Sequence, residues 1–149
     1  MTTPRAALIL GLAGLIPFVW GAATELSPDL ADWAAARFGP RFVGPYVGLA
    51  YGTVILAFMS GVLWGFAARA NGPAAAQGLA LSVIPALWTF FMVGGGPVSA
   101  SINLMAGFAG VLLLDWHFWR QGLAPRWWLG LRTLLTAVVL ACLSVTAFG

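Results

Sequence analysis

Apolar residues run along this chain in long unbroken stretches, with no alternation of period two. Five such stretches stand out, at residues 6–24, 45–68, 74–93, 98–115 and 129–148. A helix that crosses a bilayer needs roughly 17–25 mostly apolar residues, so each stretch is long enough to cross once. Hydrocarbon offers the backbone no partners, and uninterrupted apolar runs satisfy their own amides as helices, not as barrel strands. The pattern predicts an all-α integral membrane protein: a single domain over residues 1–149, a bundle of five transmembrane helices.

The breaks between the runs are chemically explicit. Pro28, Pro40 and Pro45 punctuate a more polar stretch after the first run. Within it, residues 29–38 read as a short amphipathic helix at the membrane surface, capped by Ser27 with Pro28 at its first position. Asn71-Gly72-Pro73 ends the second run, Gly94-Gly95-Gly96-Pro97 turns the chain between the third and fourth, and Pro125 precedes the fifth. Pro17 and Pro85 lie inside runs and are expected to kink the first and third helices. The first run, with Arg5 before it and Gly21-Ala22-Ala23 near its end, also has features of a signal peptide. Its length and its Pro17 and Trp20 favour a retained span.

Composition agrees with the pattern. Of 149 residues, 61% are hydrophobic and only 7% charged, against about 25% charged in soluble domains. That excludes a soluble enzyme, a nucleic-acid-binding module and a disordered chain. The net charge of +3 comes from arginines scattered at the ends of apolar runs, which is a topology signal and makes no basic stripe for nucleic acid. Arg5, Arg69, Arg120, Arg126 and Arg132 fall on one side. Arg37 and Arg41 fall on the other, beside Glu25, Asp29 and Asp32. The imbalance predicts the N-terminus inside and the C-terminus outside. Trp116, Trp119, Trp127 and Trp128 cluster near the expected inner interface with Trp64 close to that level, and Trp20, Trp33 and Trp88 lie nearer the outer one.

Few side chains offer chemistry. Gly44, Gly48 and Gly52 recur every fourth residue, and Gly61 and Gly65 repeat the interval on the opposite face of the same helix. Glycine at i and i+4 admits a close helix neighbour, so the second span is expected to sit between two neighbours, with these glycines and Trp64 marking packing or partner faces. Asp115 and Arg132 lie at the adjoining ends of the fourth and fifth runs and are expected to pair near the inner interface. Tyr51, Ser82, Pro85, Thr89 and Asn103 are candidates for a polar pocket inside the bundle, or for helix–helix hydrogen bonds. His117, the sole histidine, lacks the companions a metal site needs, and Cys142 reads as a small buried hydrophobe. No cofactor, metal or catalytic constellation is indicated.

Several segments resemble a known family. They are Pro4-Arg5-Ala6 with Gly14-Leu15-Ile16-Pro17-Phe18, residues 51–65 (YGTVILAFMSGVLWG), Ser82-Val83-Ile84-Pro85, Leu114-Asp115, and Ala124-Pro125-Arg126-Trp127-Trp128 leading to Leu131-Arg132 and Leu135-Thr136. The chain looks like a member of the bacterial and mitochondrial transmembrane protein 69-like family, a domain of unknown function. Gly61-Trp64-Gly65 is the most specific part of the match, and Leu63 stands where relatives often carry a histidine. The resemblance implies five helices in an energy-transducing membrane, with no activity attached. The expected function is therefore non-enzymatic: an inner-membrane accessory subunit or assembly factor that binds lipid and other membrane proteins, or a second copy, in a respiratory or photosynthetic complex. A small oligomeric transporter or channel, lined by Asn103, Ser99, Ser101 and Thr89, is the first alternative. A haem- or quinone-binding redox helper using His117 and the tryptophans is the second.

Overall fold

The computed structural model describes residues 2–149, which are entirely helical or loop, with no strand among the described residues. Eight α-helices form, α1 (Arg5–Ala13), α2 (Ile16–Leu26), α3 (Pro28–Phe38), α4 (Tyr46–Ala67), α5 (Gly72–Ser82), α6 (Ile84–Met92), α7 (Pro97–Arg120) and α8 (Trp128–Phe148), with a single 3-10 turn at Pro40–Phe42. Joined as α1–α2, α4, α5–α6, α7 and α8, they make five spans long and apolar enough to cross a membrane. A span of 22 residues rises about 33 Å, close to the ~30 Å of a bilayer core.

The proline kinks fall slightly upstream of the prolines. α1 gives way to α2 at Gly14-Leu15, and α5 to α6 at Val83. Proline lacks the N–H and crowds the carbonyl four residues back, so the ladder opens before the ring itself. The second break is met by a neighbour: the Ala86 amide, in the first turn of α6, donates to Ser60 Oγ of α4 at 2.8 Å. The short helix after Ser27 forms as α3, where Ser27 Oγ accepts from the Leu30 amide. α7 runs five residues beyond the expected limit at 115. Asp115, His117 and Arg120 read as the end of an apolar run, yet the Asp115 carboxylate turns into the bundle and the helix continues past it.

α4 and α7 pack together at the centre. The α1–α2 span and α8 close one side of that pair, and α5–α6 the other. Phe18, Leu56, Met59, Leu104, Phe108 and Val139 fill the main core, and Leu63, Ala67 and Phe118 a smaller one. Large apolar side chains such as Ile9, Phe90, Phe91 and Leu113 point outward, as lipid-facing residues do and water-facing ones do not. Arginines near the span ends lie over neighbouring rings, Arg120 over Trp116 and Arg41 over Phe42 at 4.8 Å each. This is the posture of a cation whose stem stays in apolar surroundings. Trp20, Trp88, Trp119 and Trp128 each donate an indole N–H to another part of the chain, whereas Trp33, Trp64 and Trp116 are exposed and make no such bond.

Candidate functional site: a buried ion pair beside an apolar cavity

α7 and α8 bring Asp115 and Arg132 together inside the bundle. Arg132 Nε donates to Asp115 Oδ2 at 2.9 Å, and Trp128 Nε1 donates to Oδ1 at 2.8 Å. Each carboxylate oxygen thus has one donor. Asp115 is 0% exposed and Arg132 5%, so the pair is buried inside the bundle. Each residue lies four or five positions inside its helix end, about 6–8 Å along the axis. Trp128 joins the pair because it stands one turn before Arg132 on the same face of α8.

A cavity of about 340 Å³ opens beside the pair, between α1–α2, α4 and α8. Phe18, Ile55, Phe108, Leu135 and Val139 wall it, and Arg132 and Thr136 also line it. Arg132 Nη2 and Thr136 Oγ1 are buried and have no hydrogen-bond partner. Tyr51 faces this cavity and packs edge-on against Phe18.

The other polar candidates do not share a pocket. Thr89 Oγ1 donates to the carbonyls of Pro85 and Ala86 on its own helix, Ser82 Oγ to Leu79, and Asn103 Nδ2 to the Met92 carbonyl at 2.8 Å. Trp88 Nε1 returns the tie from α6 to the Asn103 carbonyl. Ser101 is buried, while Ser99 lies at an outer notch together with Asn103. The expected polar pocket of Tyr51, Pro85, Thr89 and Asn103 is therefore not formed, because hydroxyls and the amide satisfy helix carbonyls one by one. His117 sits edge-on to Phe118 at 5.9 Å. Among the described residues no three His, Cys, Asp or Glu side chains cluster as metal ligands do.

The glycines of α4 divide into two populations. Gly52 is closed by Leu104 and Phe18, with the nearest atom 3.0 Å from where a Cβ would stand, and Gly48 meets Leu143 at 4.0 Å. Gly44, which stands in the turn before α4 begins, lies against the Gly21 carbonyl oxygen and Glu25. Its amide donates to Thr24 Oγ1, which itself donates to Gly21 O. Gly61 and Gly65 have nothing within 4 Å. They lie on an exposed strip with Val54, Ala57, Phe58, Trp64 and Ala68, opposite the closed glycines. The second span thus has one covered glycine face and one open, not two covered ones. Two tight glycines had no spacing signal in the sequence. A Cβ at Gly78 would stand 2.8 Å from Ala67, and one at Gly107 2.8 Å from Leu56 and 2.9 Å from Trp88.

One further tie joins the loops after α4 and α7, and another joins α8 to α2. An Arg69 Nη donates to the Leu123 carbonyl, and Thr146 Oγ1 donates to Glu25.

The family described as "Protein of unknown function (DUF3429)" matches residues 3–148. Transmembrane protein 69 of Xenopus tropicalis is 34% identical over 139 residues, which cover 91% of this chain and 51% of that protein. Transmembrane protein 69 of Mus musculus is 31% identical over 150 residues, 98% of this chain and 57% of that protein. The chain spans about half the length of the curated relatives it matches. No solved structure matches.

Proposed function

Because this chain belongs to the DUF3429 family of proteins of unknown function and carries five membrane-spanning helices, we propose that it works by binding and not by catalysis. It acts as an accessory or stabilising component that packs against a helix of another membrane protein. The observation that carries this reading is the contrast along α4. Glycines on its inner face are occupied by neighbouring side chains, while Gly61 and Gly65 lie open between the exposed rings of Phe58 and Trp64. Glycine in a helix interior costs about 1 kcal/mol relative to alanine, and a close-approaching helix is what a pair at i and i+4 serves. A channel is a poorer reading, since Thr89, Ser82 and Asn103 spend their polar groups on helix carbonyls.

The test is the double variant Gly61→Leu/Gly65→Leu. With no atom near either position, the fold is expected to survive unchanged by circular dichroism and thermal melting. Partner proteins that co-purify in mild detergent are expected to be lost. An unchanged set of partners would overturn the reading.

The membrane we assign is a bacterial inner membrane, with the N-terminus inside; the arginine imbalance supports this orientation. In a Cys142→Ser background, Arg126→Cys is expected to react with a membrane-impermeant maleimide only in inverted vesicles, and Arg37→Cys only in right-side-out ones. The reverse pattern would invert the orientation.

A further inference from the structure

The cavity beside the ion pair is lined by two residues that each carry a buried donor nothing in the chain uses. Other helical threonines are satisfied. Thr24, Thr53, Thr89 and Thr133 each donate to a carbonyl of their own helix, and Thr146 donates to Glu25. Thr136 is the exception, 1% exposed with its hydroxyl unpartnered. Four residues earlier on the same face of α8, Arg132 commits Nε to Asp115 and leaves Nη2 unpartnered. Leaving such groups buried and unpaired is unfavourable, the more so when charged. Both side chains line the same cavity.

The space has a structural origin. The break at Gly14-Leu15 separates α1 from α2, and α1 packs chiefly against α8 with none of its residues buried. The volume of about 340 Å³ is roughly ten times a water molecule's share of the liquid and falls in the range of small-molecule sites. Its walls are almost wholly apolar. Water alone fits such a space poorly, because a buried water needs two to four polar partners.

From this geometry we propose that the cavity binds one apolar molecule headed by a neutral carbonyl oxygen, which accepts from Arg132 Nη2 and the Thr136 hydroxyl. The Asp115 carboxylate already balances the guanidinium, so the site asks for an acceptor and not for a second anion. A membrane quinone offers such an oxygen on its ring, and a glycerolipid offers it in its acyl ester. The cavity adjoins the open strip of α4 through Phe58, which lines it, but Gly61 and Gly65 do not.

Native mass spectrometry of the full chain in detergent, titrated separately with decylubiquinone and with dioleoyl phosphatidylethanolamine, tests this. One probe is expected to bind saturably at one per chain, and the probe that does so identifies the source of the carbonyl. Thr136→Val keeps the side-chain shape and is expected to weaken that binding about fivefold, the loss of one hydrogen bond. Leu135→Trp fills the space and is expected to abolish it. The proposal is overturned if neither probe saturates at one per chain, or if Thr136→Val binds with wild-type affinity.

Discussion

Replacing Asp115 by alanine is expected to destabilise the bundle by about 3–5 kcal/mol, the largest effect of any single substitution in this chain. Arg132 would keep its charge in a buried position with no counter-ion, and removing one member of a buried pair has costs of this order. Trp128 would lose the acceptor for its indole N–H as well. The favourable part of the pair itself is smaller than that figure, because both ions were taken out of a polar medium to form it. It follows that Asp115→Leu/Arg132→Leu should lie closer to the wild type than Asp115→Ala does. Trp128→Phe, which removes only one donor, should cost about 1 kcal/mol. Denaturation of these proteins in mixed micelles, together with the single variants Asp115→Leu and Arg132→Leu, would measure the series. A double variant as unstable as the sum of its singles would show that the two charges are not coupled.

The second large effect concerns glycine. Gly44→Ala is expected to cost about 2–3 kcal/mol, since the added methyl would meet the backbone carbonyl of Gly21 and the Glu25 side chain. A carbonyl in a packed helix has little room to move, and overpacking of this kind costs about 1–3 kcal/mol. Displacing it would also disturb the Thr24 hydroxyl that links the Gly21 carbonyl to the Gly44 amide. The same change at Gly65 has the opposite expectation. Nothing lies within 4 Å of it, so Gly65→Ala should leave stability unchanged or raise it by up to about 1 kcal/mol through helix propensity. Melting temperatures of the two single variants check both. Equal losses at Gly44 and Gly65 would contradict the division of the glycines into closed and open faces.

Much of the helical layout was legible in the sequence, because apolar length and proline position act locally. The spans, the short helix after Ser27 and the two kinked helices follow from those signals. The end of α7 was not legible. Asp115 reads as a boundary until its partners are known, and Trp128, one of those partners, lies thirteen residues away and reads as an interface anchor. Helical period placed Gly61 and Gly65 opposite Gly48 and Gly52, but period alone does not say which face a neighbour covers. The polar residues misled for a related reason. Thr89 and Ser82 look like pocket liners in the sequence, yet a hydroxyl can bond the preceding turn of its own helix. Thr136 is the same residue type and does not, a difference set by its surroundings in the bundle and invisible in the chain. Gly78 and Gly107 likewise reveal themselves only through Ala67, Leu56 and Trp88 pressed against them.

The central claim is that the open strip of α4 receives a helix from another membrane protein. Site-specific photo-crosslinking in native membranes, with the reactive residue at position 61 and, as a control, at the equally lipid-facing position 113 of α7, tests it most directly. Discrete adducts with a different membrane protein are expected from position 61 and none from position 113. Lipid adducts alone, an adduct of twice the chain's own mass, or the same protein adducts from both positions would contradict it.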